Sequence, residues 1–430
     1  MKKPLQERMR QLEERDYALF QSIYSYRCLT LEQIKELHFS DKKTGKVYGR
    51  IQKLIQLDFL KEVPYKHHQH AYFLTSSGID AIRYHYDMPT NIYDMQKKVV
   101  KRGYYRASEL EMYPKLINHQ IHLNQFVIEF NKIGIDVPYK YFDEKYVSQY
   151  SSIRPDGMLS VLDVDFFLEM DMATESKKQL GEKWDHYRRF LQSREYAYRE
   201  KRIIVLFIVD GTHRLKERID LVKFTIFDRL LDVLNHEFEI YVGTQDELIN
   251  LLKKRLIPAC KGVNPHSELL KHVLETYHGF TVTNGQALAG AFDNTQFQFY
   301  LQKTNELGHL ETEHGRLQEF VVDDYFFENC SVLSKVAYME KLNTFFKEKF
   351  NRTIPFVLIG KNEEQLYRDL RMMELLDMPN VYFSTYQRLK TKPFHEAIFQ
   401  FDSFGNMQHF KNTGLSERIF ECNMEQLLNP

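Results

Sequence analysis

Long hydrophobic runs are missing from this 430-residue sequence: no stretch approaches the roughly 20 consecutive apolar residues that a bilayer-crossing helix needs. The opening Met1-Lys2-Lys3-Pro4 leads into polar sequence rather than the apolar core of a signal peptide, so a cytoplasmic protein with no membrane partner is expected. Cysteine is scarce. Cys28, Cys260, Cys330 and Cys422 stand far apart with no CxxC pair, which argues against a zinc site and fits reduced structural thiols. A glycine-rich phosphate loop is also lacking, because Gly360-Lys361-Asn362 has neither the Walker spacing nor a Ser/Thr partner. Net charge is absent too, with 59 basic residues against 59 acidic ones. What is present is a 43% hydrophobic, 14% aromatic composition, enough to bury the cores of two or three domains and to exclude wholesale disorder.

The zero net charge hides an asymmetry. Residues 1–118 hold 21 Lys and Arg against 14 Asp and Glu, and the remainder carries the opposite imbalance. A basic front end suits a polyanion, since phosphate contacts dominate nucleic-acid affinity. The element pattern there agrees. Helical periodicity runs from Glu13 to Tyr26, Thr30 is placed to cap a helix from Leu31 to His38, and a third helix follows from about Lys43 to Leu57. On that third helix Lys43, Lys46, Arg50 and Lys53 fall within an arc of about 80°, beside an apolar stripe of Val47, Ile51 and Leu54. Asp58–Val63 and His70–Leu74 read as a hairpin around a polar turn, and Thr75 or Ser76 caps a closing helix to His85. Three helices, a wing and a closing helix predict a winged helix-turn-helix over residues 10–90, with the third helix in the major groove of double-stranded DNA. Lys61 and Lys66 on the wing would add phosphate contacts. His67-His68-Gln69-His70 reads as a solvated hairpin tip rather than a metal site. A basic linker follows over 91–114, with Lys97, Lys98, Lys101 and Arg102.

Residues 115–258 predict an α/β layer: a helix from Leu116 to Ile133, strands at Lys140–Val147, Met158–Leu162 and Asp165–Asp171, and a helix from Ser176 to Arg194. The apolar run Arg202–Val209 then reads as a central strand, followed by a helix from Arg214 to Asn235 and a strand at Phe238–Val242. The chemistry lies in Arg154-Pro155-Asp156-Gly157 and in Leu168-Glu169-Met170-Asp171. Glu169 and Asp171 are two apart on one strand and so project from one face, and Asp156 adjoins the preceding strand. Converging carboxylates of this kind suit Mg²⁺ and metal-assisted attack on a phosphodiester. The pattern is similar to that of the PD-(D/E)XK nucleases, with one departure: Asp171 stands where that motif has lysine, and Lys183 on the following helix is the nearest substitute. His119, His122 and Glu129 read as ordinary helix residues, with Glu129 the alternative source of a fourth carboxylate.

Two further motifs carry a family resemblance. Leu29-Thr30-Leu31-Glu32-Gln33-Ile34 and Leu74-Thr75-Ser76-Ser77-Gly78, followed by Arg154–Gly157, Phe167–Glu175, Lys183 and Tyr187, resemble the replication-relaxation proteins of Gram-positive plasmids and mobile elements over roughly residues 10–240. That family usually has glycine where Ala173 stands. The resemblance implies a part in plasmid replication and DNA relaxation. A tyrosyl relaxase is not expected, because His68-Gln69-His70 has a polar centre and His119 and His122 have the wrong spacing for its metal triad.

The last third, 259–430, reads as polar and irregular from Lys261 to Gln318, apart from helix near Ser267–Tyr277. A βαβ unit follows: strand Ile354–Gly360, helix Glu363–Leu376 and strand Asn380–Ser384. The expected fold class is therefore α/β in the α+β multidomain sense: a winged helix-turn-helix, a PD-(D/E)XK nuclease-like mixed sheet flanked by helices, and a C-terminal α/β region. The expected function is specific double-stranded DNA binding in plasmid replication and relaxation. To this is added either a Mg²⁺-dependent nickase at Asp156, Glu169, Asp171 and Lys183, or a non-catalytic initiator or transcriptional regulator on a degenerate nuclease fold. A homodimer and host or plasmid replication proteins are the further partners to be tested.

Overall fold

The computed structural model describes residues 4–66, 68–93, 99–134, 136–147, 150–235, 237–285, 297–313, 316–409 and 418–420. His67, Lys97, Lys98 and Cys422 therefore lie outside the described residues. By its internal contacts the chain divides into two units, residues 1–149 with 154–160, and residues 150–153 with 161–430. The architecture is mixed α/β, as the alternation of helix and strand periods predicts.

The first unit is built on helices Glu14–Tyr26, Leu31–His38 and Thr44–Gln56, a hairpin of Leu60–Lys66 with Gln69–Leu74, and a closing helix Ser76–His85. The two-residue strand Leu29–Thr30 pairs antiparallel with the second hairpin strand to make a three-stranded sheet. Its core is the apolar stripe of each helix: Leu19, Phe20 and Ile23 from the first, Ile34 from the second, and Val47, Ile51 and Leu54 from the third.

The two short motifs acquire physical reasons here. Thr30 caps the second helix by accepting from Gln33 N at 3.2 Å, while Gln33 Oε1 accepts from Thr30 N at 3.1 Å and Ile34 enters the core. Thr75 caps the closing helix through Gly78 N at 3.2 Å. Gly78 is required by close approach, since a Cβ there would lie 2.4 Å from the Phe59 carbonyl oxygen.

The nineteen-residue helix Pro114–Lys132 belongs by its contacts to this unit. Gln33 Nε2 donates to Ile121 O at 2.9 Å, and Asn124 Nδ2 donates to Tyr26 O at 3.2 Å and Cys28 O at 2.7 Å. Buried amides thus stitch this helix to the helix ends of the front of the chain. Strands Tyr139–Asp143 and Gly157–Val161 are neighbours in one sheet. The expected strand Lys140–Val147 stops at Asp143, where a helical turn Glu144–Val147 begins. The stretch expected as a basic linker contains an antiparallel pair, Asn91–Tyr93 with Val99–Arg102.

In the second unit, strands Val164–Asp171, Arg202–Val209 and Phe238–Gly243 run parallel, in that order. Helices Lys177–Leu191 and Leu215–Leu230 supply the crossovers. The central strand is buried from Ile203 to Val209, as its continuous apolar run predicts. A separate eight-stranded sheet follows, ordered Thr281–Asn284, Phe299–Gln302, Glu319–Asp324, Phe356–Gly360, Val381–Thr385, Phe399–Phe401, Met407–His409 and Arg418–Phe420. Its middle holds the expected βαβ unit, with Phe356–Gly360 and Val381–Thr385 parallel and helix Glu363–Met372 between them. The helix expected near Ser267–Tyr277 is present as Pro265–Thr276, but the stretch after it, read as irregular, contains two antiparallel strands of this sheet, Thr281–Asn284 and Phe299–Gln302. The first of these is exposed at three of its four positions, so it lacks the apolar alternation that marks a strand.

Candidate nucleic-acid interface and carboxylate centre

The basic helix Thr44–Gln56 starts at the N-cap Lys43 and buries Val47, Ile51 and Leu54. Lys43, Lys46 and Lys53 are exposed on it. Arg50, placed by periodicity in the same basic arc, is committed inward: its Nε donates to Asp16 Oδ1 at 3.0 Å, its Nη2 pairs with the other oxygen of Asp16, and Nη2 also reaches Gln11 O at 3.2 Å. Asp16 is only 1% exposed, so this arginine neutralises a buried carboxylate and ties the third helix to the first. Gly45 and Gly49 lie on the exposed side, where an added Cβ would meet nothing within 4 Å. Tyr48 beside them is also exposed.

On the wing, Lys66 is exposed near the hairpin tip, whereas Lys61 pairs with Glu111 and is half-buried. Burial lowers the Lys61 pKa. His70 Nδ1 faces Glu62 at 3.3 Å. Of the six basic residues expected to face DNA, Lys43, Lys46, Lys53 and Lys66 are exposed, and Arg50 and Lys61 are committed to acidic partners.

The carboxylates belong to different units. In the first unit Asp156 stands at the head of strand Gly157–Val161, with His119 Nε2 3.3 Å from its Oδ2. The glycine of Pro-Asp-Gly has a packing reason, since a Cβ on Gly157 would lie 3.1 Å from the Tyr141 ring. In the second unit Glu169 and Asp171 are 2% and 1% exposed, on the strand Val164–Asp171. They share a face, as their spacing predicts, and each meets its own cation there.

Lys183 Nζ donates to Glu169 Oε2 at 3.0 Å, and the Tyr187 hydroxyl donates to Glu169 Oε1 at 2.5 Å. Lys183 and Tyr187 are one helical turn apart on Lys177–Leu191, which sets both donors on one carboxylate. The displaced lysine thus reaches the acid. Asp171 is clamped by Arg218, whose Nε lies 2.5 Å from Oδ2 and whose Nη2 lies 2.9 Å from Oδ1, while Nη1 donates to Glu175 O at 2.7 Å. Such a bidentate fork is the strongest pairing a carboxylate makes with a side chain. Arg218 sits 47 residues downstream on the helix Leu215–Leu230, and no sequence spacing marks it. Tyr187 is visible in the sequence only as part of the family pattern.

A resident Mg²⁺ requires carboxylate oxygens with lone pairs turned toward it. Both oxygens of Asp171 are turned to Arg218, and those of Glu169 to Lys183 and Tyr187, so this donor set does not fit such an ion. Among the described residues, no group of three or more His, Cys, Asp or Glu side chains is gathered that could hold a metal.

Ala173 adds a local detail. It lies at φ +55°, in the left-handed region, and its N–H donates to Asp171 Oδ1 at 3.0 Å. The turn that ends the carboxylate strand is one that glycine adopts without strain, which gives a physical reason for a glycine at this position.

With this geometry in view, the comparisons place the front of the chain. Residues 20–206 match the family model described as replication-relaxation, so the resemblance carried by the motifs holds over that span. No curated protein and no solved structure matches the chain. No helix among the described residues is long and apolar enough to cross a membrane.

Proposed function

We propose that this is a sequence-directed double-stranded DNA-binding protein of plasmid replication and relaxation, and that its carboxylate centre is a structural relic of a nuclease rather than a working metal site. The observation that carries the reading is the contrast in pairing. Lys43, Lys46 and Lys53 project unburied from a helix whose other face is core, while Glu169 and Asp171 are buried and matched by Lys183, Tyr187 and Arg218. The element order of the first unit, three helices, a hairpin and a closing helix, supports a winged helix-turn-helix whose third helix enters the major groove. Exposed lysines along that helix would contact phosphates, and Tyr48 would reach base edges or the sugar. The role is then that of an initiator or regulator.

A second reading, Mg²⁺-dependent nicking, is favoured by one observation: Lys183 stands on Glu169, the lysine–acid pairing that a PD-(D/E)XK motif calls for. Supercoiled plasmid carrying the protein's own locus separates the two. Incubated with Mg²⁺ or EDTA, it should stay supercoiled while a labelled fragment of the locus shifts on a gel, with the shift independent of metal. Metal-dependent open circles that disappear with Glu169→Gln or Asp156→Ala would establish the second reading instead.

A further inference from the structure

The second unit contains a cavity of about 550 Å³ that neither the carboxylate centre nor the DNA reading uses. It lies at the carboxyl ends of parallel strands from both sheets of that unit, the place where open α/β sheets bind ligands. One wall is the turn from strand Phe238–Gly243 into helix Gln245–Leu251. Another is the turn from strand Phe356–Gly360 into helix Glu363–Met372. The two turns are built alike. Each has a glycine that the next helical turn crowds: a Cβ on Gly243 would lie 3.1 Å from Glu247, and one on Gly360 would lie 2.5 Å from Leu366. Each then has a capping side chain, Thr244 or Asn362, answered three residues on by Glu247 or Gln365.

The second turn differs in what it leaves over. Gln365 Oε1 accepts from Lys361 N at 3.2 Å, but Gln365 Nε2 has no hydrogen-bond partner, although the residue is only 4% exposed and lines the cavity. Two other lining side chains also carry shielded polar atoms without a hydrogen bond, Asp220 Oδ1 and Arg368 Nε, which face each other at 3.5 Å as an ion pair. Those two answer each other, which leaves Gln365 Nε2 as a shielded donor with no acceptor; buried polar atoms are almost always bonded, so it points to a group that completes it.

The acids of the wall are already answered. Glu364 is near Lys216 at 3.7 Å, Asp220 is paired with Arg368, Glu328 pairs with the buried Lys223, and Glu247 caps its own helix. Lys361 is exposed and has no acidic partner among the described residues, and it stands at the N-terminus of a ten-residue helix. This corner is rich in donors and favours an anion. Phe326, Phe327 and Leu251 add apolar surface to the same cavity.

We propose that this cavity binds a nucleoside phosphate, with the phosphate at Lys361 and the start of helix Glu363–Met372, and the base against Phe326 and Phe327. Gln365 Nε2 would donate to an oxygen of the ligand between them.

The test is calorimetric titration of the full chain with ADP, GDP, adenosine and inorganic phosphate. The variants are Lys361→Glu and Asn250→Trp, both at exposed positions on the rim, so each should keep the melting temperature of the unliganded parent. At least one nucleotide should bind and raise the melting temperature, and each variant should weaken it tenfold or more with the DNA band shift unchanged. Phosphate binding alone as tightly as the nucleotide, and equally lost in Lys361→Glu, would keep the anion corner and identify free phosphate as its ligand. The proposal is overturned if no nucleotide and no phosphate binds, if adenosine binds as tightly as ADP, or if binding survives both variants.

Discussion

The two units handle charge in opposite ways. In the first, the lysines of the basic helix are exposed, while the one arginine of the same arc is drawn inside to meet Asp16. In the second, carboxylates that read as a reaction centre are buried and bonded to cations supplied by the two flanking helices. A charge that waits for a partner from outside is left solvated, because surface pairs contribute little and are easily exchanged. A charge that is desolvated needs its counter-ion within the fold, because an unpaired buried ion is among the most destabilising features a protein can carry. The same residue types therefore mean different things in the two units, and substitutions should separate them.

The largest effect is expected at Arg218. Arg218→Ala would leave the Asp171 carboxylate buried and unpaired, a loss of about 3–5 kcal/mol by urea unfolding. Adding Asp171→Asn to that variant should recover much of the loss, since an amide in the same place carries no charge to desolvate. A single Arg218→Ala change with less than about 1 kcal/mol of effect would mean that the carboxylate is not committed to the arginine, and would reopen it to a metal.

Next in size is the triple change Lys43→Ala, Lys46→Ala, Lys53→Ala. All three side chains are exposed, so unfolding should be nearly unaffected. DNA affinity should fall by roughly thirtyfold or more near physiological salt, and the slope of log affinity against log salt should become shallower by about 0.9 for each phosphate contact removed. Arg50→Ala is the counter-case. It should lower stability first, by exposing Asp16 to burial without a partner, and a variant that weakened DNA binding at unchanged stability would break the comparison.

How much of this was legible beforehand follows from where the signals lie. The helix Leu31–His38 and the strand Arg202–Val209 fall where the sequence places them, because a capping box and a continuous apolar run are local. The spacing of two that puts Glu169 and Asp171 on one strand face is local as well. Arg218 is not: it lies 47 residues from Asp171 and reaches it only through the crossover helix Leu215–Leu230, so no local pattern announces it. Arg50 was misleading for a related reason, since helical periodicity gives its angle on the helix but not the buried Asp16 waiting on another one. The strand Thr281–Asn284 escaped because edge strands with polar, exposed positions carry no period-two pattern. Helix Pro114–Lys132 shows its period clearly, yet its Gln120 and Asn124 give no hint of which unit their burial serves.

A smaller effect separates the interior of the first unit from its surface by pH. His38, bonded through Nε2 to Ser22 Oγ at 2.9 Å, has its pKa lowered from 6.5 to about 4 by burial, with the nearby Arg15 adding to the shift. The unfolded chain then binds more protons than the folded one between these values, so this contribution is fully present above pH 6.5 and is lost as pH falls toward 4. Discounted for the partial exposure of the ring, the loss is on the order of 1–2 kcal/mol. His38→Gln should flatten the melting temperature against pH in that window, and an unchanged profile would place the titration elsewhere.

The smallest change is the most discriminating for the outward face of the basic helix. Gly49 lies within the helix with nothing inside 4 Å of an added Cβ, so Gly49→Ala should stabilise the folded chain by about 0.5–1 kcal/mol through the lost entropy of the unfolded backbone. On free-protein grounds this glycine is therefore a disadvantage, and the question is what it is for. A helix that lies deep in a major groove brings its exposed backbone close to the bases, and a methyl group there would hold it away. Gly49→Ala should then raise the melting temperature and weaken specific DNA binding several-fold while leaving the salt slope unchanged, because no phosphate contact is removed. If the melting temperature rises and specific affinity stays the same, the lysines touch DNA but this side of the helix does not read it, and the contrast between the units reduces to one of pairing alone.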